Sequence, residues 1–102
     1  MTVKVVDAPE AHRYEARVDD GPEVAGFAKY IRTAELIAFV HTEVGPAYEG
    51  QGIGSALART SLDEARAAGL QVLATCPFYA GWIARHREYA DLLYQNRSKV
   101  ND

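Results

Sequence analysis

The spacing of apolar residues changes once along the chain, close to residue 45. Before that point apolar and polar residues alternate: Tyr14, Ala16 and Val18 fall on one side of the chain, with arginine and glutamate between them. Alternation with a period of two predicts β-strands that bury one face. The strands predicted in this way form an antiparallel meander and cover residues 12–18, 23–32 and 35–44.

Beyond residue 50 the apolar period lengthens to that of a helix. Residues 53, 57, 58, 62 and 65 are apolar and share one helical face, and Gly69 is a suitable terminator. An apolar run over residues 70–76 predicts an interior strand. A strand, a helix and a second strand form a crossover unit, so the strands that contain Val40 and Leu73 are expected to be parallel neighbours.

The end of the chain predicts more helix. Pro77 suits the first turn of a helix over residues 77–86, and residues 88–95 predict a last helical piece. The polar residues 95–102 are expected to fray.

Composition indicates one domain over residues 1–102, since 48% of the residues are hydrophobic and 25% are charged. A net charge of −3 gives no indication of the basic surface that a nucleic-acid-binding protein needs, although the total leaves room for a local basic patch. No apolar run reaches the length of a membrane span, and Cys76 is the only cysteine, which favours a cytoplasmic protein without disulfides. That cysteine and three scattered histidines do not have the spacing of metal ligands.

Three alternate glycines, Gly50, Gly52 and Gly54, directly precede the first helix. The free N–H groups and partial positive charge of a helix start suit a phosphate, and glycine allows it to approach the backbone closely. The alternative is a tight turn that binds no ligand. The spacing differs from the dinucleotide-binding fingerprint, and the lysine of a Walker A loop is missing.

Several ordered motifs resemble the compact single-domain branch of the GNAT N-acetyltransferase superfamily. They are VGPAYEGQGIGSAL, HTEV, TCPF and ARHREY, and the resemblance extends over residues 26–93. It implies an α/β (α+β) fold with a mixed, mainly antiparallel sheet. A parallel strand pair would splay around the cofactor slot, helices would cover both faces, and the terminal strands of larger members would be lacking.

The resemblance also implies a cofactor, acetyl-CoA or CoA, which acts as a co-substrate. Backbone at the end of the third predicted strand would pair with the pantetheine arm, and the glycine loop would hold the pyrophosphate. A basic group on the last helices, formed by Arg85, His86 and Arg87, could attract the 3′-phosphate. Glu49 departs from the family pattern, which has a basic or amide residue there, and its charge opposes a phosphate. The cofactor-binding residues expected are Thr42, Val44, Gly50, Gln51, Gly52, Ile53, Gly54, Ser55 and Arg85.

His41 and Glu43 are the candidate general bases. The family's chemistry is direct attack of an amine on a thioester, which requires the amine to lose a proton. A two-residue period places Phe39, His41 and Glu43 on one face of the strand that leads to the loop. The alternatives are a structural histidine, a solvated or ion-paired carboxylate, and a water chain in place of either base.

Cys76 and Tyr79 complete the catalytic candidates. Cys76 directly precedes Pro77, so its sulfur is expected at a helix N-terminus, which favours the thiolate. Cys76 would then line the active site or, as the less favoured alternative, form an acetyl-cysteine. Tyr79 could donate a proton to the leaving sulfur, although the family's acid tyrosine aligns with Ala84.

The function predicted is acetyl-CoA-dependent transfer of an acetyl group to an amine, on either a small molecule or a protein. The alternative is a CoA- or acetyl-CoA-binding module or regulatory subunit without turnover. A third possibility is a structural domain whose glycines only turn the chain. We expect a monomer or a weak homodimer, with neither a nucleic acid nor a membrane as partner.

Overall fold

The structure, a computed structural model, describes residues 2–19 and 21–94. The predicted fraying of residues 95–102 therefore lies outside the described residues. Three short 3-10 helices accompany the strands and helices, at Pro9–Ala11, Pro46–Tyr48 and Arg87–Leu92. The main elements are β1 (Val3–Ala8), β2 (Arg13–Val18), β3 (Val24–Arg32), β4 (Leu36–Val44), α1 (Ile53–Ala67), β5 (Gln71–Ala74) and α2 (Pro77–Arg85).

The five strands form one sheet in the order β1-β2-β3-β4-β5. Strands β1 to β4 are antiparallel neighbours, whereas β5 is parallel to β4, so the predicted mixed and mainly antiparallel sheet is confirmed. Strand β1 is not among the strands that alternation predicts, because Val5 and Val6 are adjacent. Within the described residues no further strand follows β5; only an isolated bridge joins Leu93 to Val72.

Both α-helices pack against the same face of the sheet, which we call the helix face. Tyr79 of α2 stacks on Phe39 of β4, with ring centroids 4.1 Å apart and an interplanar angle of 5°. The Tyr79 hydroxyl lies 2.8 Å from the Ser61 hydroxyl of α1. Tyr14 of β2 donates to Glu64 of α1 on this face at 2.9 Å. The expectation of helices on both faces is therefore wrong for the part of the chain that the structure describes.

The opposite face, which we call the open face, carries polar side chains that explain why it lacks a helix. Glu15 accepts hydrogen bonds from Arg13 at 2.8 Å and from Arg17 at 2.9 Å, and it is only 8% exposed. Burial alone would raise the pKa of Glu15, but the two arginines outweigh it and hold the pKa below its ordinary value. A helix here would have to desolvate these charges, which is costly.

A β-bulge at Val40 changes which side chains of β4 face the helices. Lys29 pairs with His41 and Tyr30 with Phe39, so Val40 is an extra residue in β4. Directly paired residues share a face, so Phe39 lies on the helix face with Tyr30, while His41 lies on the open face with Lys29. The predicted common face for Phe39, His41 and Glu43 is therefore wrong, because the extra residue interrupts the two-residue period.

Strand β5 accompanies only the first half of β4. The parallel pairing confirms the predicted crossover, but it ends where Phe39 pairs with Ala74. The Cys76 N–H donates to the Phe39 carbonyl at 3.0 Å, and the chain then turns into α2. Residues Val40–Val44 consequently have no β5 partner, and we call the region between this half of β4 and the start of α2 the slot.

Candidate functional site

Glycine is required at the three alternate positions before α1 for two different reasons. Gly50 and Gly52 have φ of 81° and 77°, a left-handed conformation that side chains disfavour. No atom lies within 4 Å of where a Cβ would stand at either position, so the space beside them is open. A Cβ on Gly54 would instead lie 2.8 Å from the Phe78 ring of α2, so Gly54 is required for helix packing.

The first turn of α1 presents backbone donors without a side-chain cap. Gly52 is the N-cap and makes no side-chain capping hydrogen bond, and the first helical bond runs from the Ala56 N–H to the Gly52 carbonyl at 3.0 Å. The preceding N–H groups at residues 52–55 therefore have no partner within the helix. Together with the open space beside the glycines, they form a site whose geometry and partial charge fit an anion such as a phosphate.

Side chains around this loop modify its charge and its shape. The Ser55 hydroxyl accepts a hydrogen bond from the Trp82 indole at 3.0 Å, which holds α2 beside the start of α1. Glu49 and Gln51 are exposed. Glu49 forms no ion pair within residues 2–19 and 21–94, and at an exposed position water and salt screen its charge.

Cys76 and Thr42 meet at the slot. The Cys76 sulfur lies 3.4 Å from the Thr42 hydroxyl oxygen and is almost fully buried. Cys76 is the N-cap of α2, directly before Pro77, as the sequence predicts. Thr42 pairs with Ala28, which is buried on the helix face, so this side of the slot faces the helices.

His41 and Glu43 form a second pair, on the other side of the same strand segment. His41 Nε2 lies 2.7 Å from a Glu43 carboxylate oxygen, and both side chains are more than half exposed. The Phe27 ring lies beside His41 on the open face, with centroids 6.1 Å apart. The structure thus brings the candidate bases together, but it separates them from Cys76 by the width of β4.

The Tyr79 hydroxyl makes its hydrogen bonds to α1 and not to the slot residues Cys76 and Thr42, although Cys76 is close enough to raise the pKa of Tyr79. The hydroxyl is buried against Ser61 and the Leu57 carbonyl of α1, and the ring stacks on Phe39. Burial raises the pKa of Tyr79 well above the ordinary value. No hydrogen bond joins this hydroxyl to Cys76 or Thr42 in the described residues, so its proposed role as an acid remains a prediction without a supporting contact.

Arg85 is the last residue of α2 and is exposed. The contacts of Phe78 and Trp82 with α1 place α2 along the side of the loop, and Arg85 follows Trp82 by three residues. His86 does not extend the basic group into solvent, because its ring stacks on Trp82 with centroids 3.7 Å apart. The alternation of the sequence contains no signal for these packing roles of Phe78 and Trp82, which depend on where α2 meets α1.

The family model for GCN5-related N-acetyl-transferases matches residues 13–92. The chain belongs to this family. The resemblance found in its motifs is therefore confirmed, and the match includes the free half of β4, the glycine loop and the Cys76–Thr42 contact. A search of curated proteins finds no match.

A solved structure shares the fold of this family member. It is the NMR solution structure of a GCN5-like protein from Staphylococcus aureus, described as a candidate N-acetyltransferase. The TM-score is 0.67 and the identity 21%, and the match covers 91% of this chain and 89% of the other. The similarity supports the mixed sheet and its helices as a family fold. None of the helices in the described ranges is both long and apolar enough to cross a membrane.

Proposed function

We propose that the protein transfers an acetyl group from acetyl-CoA to a primary amine. The observation that carries this proposal is the position of two features side by side. The strand segment Val40–Val44 lacks a β5 partner, and the uncapped, glycine-lined start of α1 follows it after a short connection. Backbone groups on the first can pair with the amides of a pantetheine arm, and those on the second can bind a pyrophosphate.

Each part of acetyl-CoA has a group in this chain that could bind it. The backbone N–H groups of residues 51–55 would hold the pyrophosphate, because the space beside Gly50 and Gly52 is open. The backbone of Thr42 to Val44 would hold the pantetheine, and Arg85 would attract the 3′-phosphate. Bound acetyl-CoA supplies a thioester, whose acyl carbon bonds to the amine nitrogen as the carbon–sulfur bond breaks and the thiolate takes up a proton.

His41 is the group that we assign to remove the proton from the amine. Imidazole is the side chain that most readily exchanges a proton near neutral pH. Glu43, at 2.7 Å from His41 Nε2, fixes the orientation of the ring. Cys76 lines the slot on the helix side, and we propose direct transfer to the amine rather than an acetyl-cysteine.

Calorimetry with acetyl-CoA and CoA tests the binding part of the proposal. Gly52→Val should abolish binding, because a side chain there would enter the open space beside the loop. Gly69→Val is a matched control: Gly69 also has a left-handed φ, of 74°, and also has no atom within 4 Å of a Cβ, but it lies at the far end of α1. Equal CoA affinity in folded Gly52→Val and Gly69→Val would exclude this site.

Release of free thiol from acetyl-CoA in the presence of a panel of amines tests turnover. Amine-dependent release together with a stoichiometric acetylated product supports an acetyltransferase. Tight acetyl-CoA binding without amine-dependent release from any amine would instead favour the alternative of a CoA-binding module.

A further inference from the structure

The open face of the sheet carries more positive than negative side chains. Directly paired residues share a face, so the register places on it the cations of β1 to β4 named below, together with the carboxylates of Glu15 and Glu43. These cations are Lys4, Arg13, Arg17 and Lys29. The chain as a whole has the opposite balance, with 14 aspartates and glutamates against 11 lysines and arginines. The positive charge is therefore a local property of this face.

One of these cations stands beside the candidate base. Lys29 of β3 pairs with His41 of β4 on one side and with Arg13 of β2 on the other, so the three form a row across the sheet. Like charges directly opposite each other destabilise a pair of strands. Glu15 accepts a hydrogen bond from Arg13 at 2.8 Å, but Lys29 is exposed and forms no ion pair within residues 2–19 and 21–94. An anion bound next to His41 would offset the repulsion between the two cations.

A second pair of like charges lies on the same face. Arg17 stands directly opposite Lys4, and it follows Arg13 by four residues along β2, a distance of about 13 Å. Each positive pair can take a separate carboxylate of a partner. Two pairs at this separation suit an extended acidic segment of a protein better than a small molecule, because complementary charge must extend over the same length.

The row from Arg13 to His41 has the spacing of alternate residues in an extended chain. Neighbouring strands are about 4.8 Å apart, so the midpoint between Lys29 and Arg13 lies about 7 Å from His41 across the sheet. In an extended segment, residues two positions apart are separated by about 6.6 Å and point to the same side, whereas the residue between them points away. The His41 side chain is more than half exposed, so a lysine of such a segment can reach it from the open face.

We propose that the acetyl acceptor is a lysine side chain in an extended, acidic segment of a protein, and that this segment docks on the open face. The lysine amine lies at His41, and a glutamate or aspartate two residues away binds Lys29 and Arg13. This inference rests on the proposed acetyltransferase function and adds the class of the substrate.

Three peptides with blocked termini test the assignment: Glu-Ala-Lys-Ala-Glu, Ala-Glu-Lys-Glu-Ala and Gln-Ala-Lys-Ala-Gln. The first two have the same composition and net charge and differ only in the distance of the glutamates from the lysine. We expect kcat/KM for the first peptide to exceed that for the glutamine peptide by about fivefold, the upper range for one exposed ion pair. It should also exceed kcat/KM for the second peptide, whose glutamates point away from the sheet.

Two variants of the protein show whether Lys29 causes this preference. Lys29→Gln should reduce the preference for the first peptide over the glutamine peptide to less than about twofold. Arg32→Gln is the matched control, because it removes the same charge from an exposed residue of the same strand. Arg32 pairs with the buried Ile37 and so belongs to the helix face, and the preference should persist in this variant.

A binding measurement separates this inference from the proposed function. In an NMR titration, Glu-Ala-Lys-Ala-Glu should shift the amide signals of Lys29 and His41, and Lys29→Gln should reduce the shift at His41. This titration requires neither acetyl-CoA nor turnover. Peptide binding by a protein that fails to bind acetyl-CoA would overturn the acetyl-transfer reaction, and the acceptor role of this face with it.

Two results would overturn the acceptor class alone. One is acetylation of all three peptides with equal kcat/KM. The other is a higher kcat/KM for spermidine than for Glu-Ala-Lys-Ala-Glu, which would identify a small basic polyamine as the acceptor. A preference for Glu-Ala-Lys-Ala-Glu that is lost in Lys29→Gln, persists in Arg32→Gln and weakens with added salt supports the proposal.

Discussion

The two halves of β4 differ in almost every respect although they form one strand. Residues Ile37–Phe39 pair with β3 on one side and with β5 on the other, and the large side chains of Ile37 and Phe39 are buried in the core. Of residues Val40–Val44, the last four pair only with β3 and Val40 is the unpaired bulge residue; three of the five are exposed. The boundary between the halves is the bulge at Val40, which is also where β5 ends.

This difference shows how a small domain separates stability from chemistry within one element. In the first half both edges and the helix-face side chains are used by the fold, so nothing remains for a ligand. In the second half one backbone edge has no strand partner and His41, Thr42 and Glu43 do not anchor the core. Binding and catalysis can therefore be placed there at little cost to folding.

Phe39→Ala should produce the largest effect in the first half. The ring is fully buried and stacks on Tyr79, so its removal should lower the free energy of unfolding by about 3–5 kcal/mol. Urea denaturation measures this loss. The neighbouring Val40→Ala, at the exposed bulge, is the matched control and should change stability by less than about 1 kcal/mol. Similar losses for both variants would mean that the bulge is not a boundary.

His41→Ala should show the opposite behaviour in the second half. We expect the rate of acetyl transfer to fall about 100-fold, the typical contribution of a general base. The free energy of unfolding should change by less than about 0.5 kcal/mol, because the side chain is exposed. Single-turnover kinetics and urea denaturation on the same preparation test both statements, and an unchanged transfer rate would remove His41 from the mechanism.

Tyr79→Phe tests how the burial of Tyr79 against the first half of β4 makes stability depend on pH. Burial raises the pKa of Tyr79 in the folded protein, so above about pH 10 the unfolded chain loses this proton while the folded chain keeps it. Stability should therefore fall as pH rises beyond 10, and Tyr79→Phe should make this fall shallower. At pH 7 the variant should lose about 1 kcal/mol with the Ser61 hydrogen bond. Denaturation between pH 7 and 11 measures both effects, with the exposed Tyr94→Phe as control.

Cys76→Ala should have the smallest effect on turnover, because a residue that only lines the slot takes no part in bond formation. Saturating acetyl-CoA should protect Cys76 of the wild type from alkylation. Loss of turnover with retained CoA binding would indicate covalent catalysis, as would an acetyl group on the wild type that moves to the amine. Equal alkylation rates with and without acetyl-CoA would mean that the slot beside Thr42 is not the cofactor site.

Much of the molecule could be predicted from the chain alone, because local periodicity determines it. The strands β2 to β5, the helix α1 with its terminator Gly69, and the helix opened by Pro77 follow from spacing and turn residues. The left-handed glycines that open α1 belong to the same class of local signal. The contact between His41 and Glu43 also follows from local periodicity, because residues two apart in a regular strand segment lie on the same face.

Only the tertiary structure decided which face of β4 carries the candidate bases, which face the helices cover, and why Gly54 is a glycine. Each depends on contacts between segments far apart in sequence. The extra residue at Val40 is defined only by its register against β3, and Gly54 is required only because Phe78 of α2 packs on it. The sequence by itself determined the elements from β2 to α2 and the left-handed glycines of the loop, since these depend on neighbouring residues. Strand register and packing partners cannot be read from neighbouring residues, because they are selected when the whole core assembles.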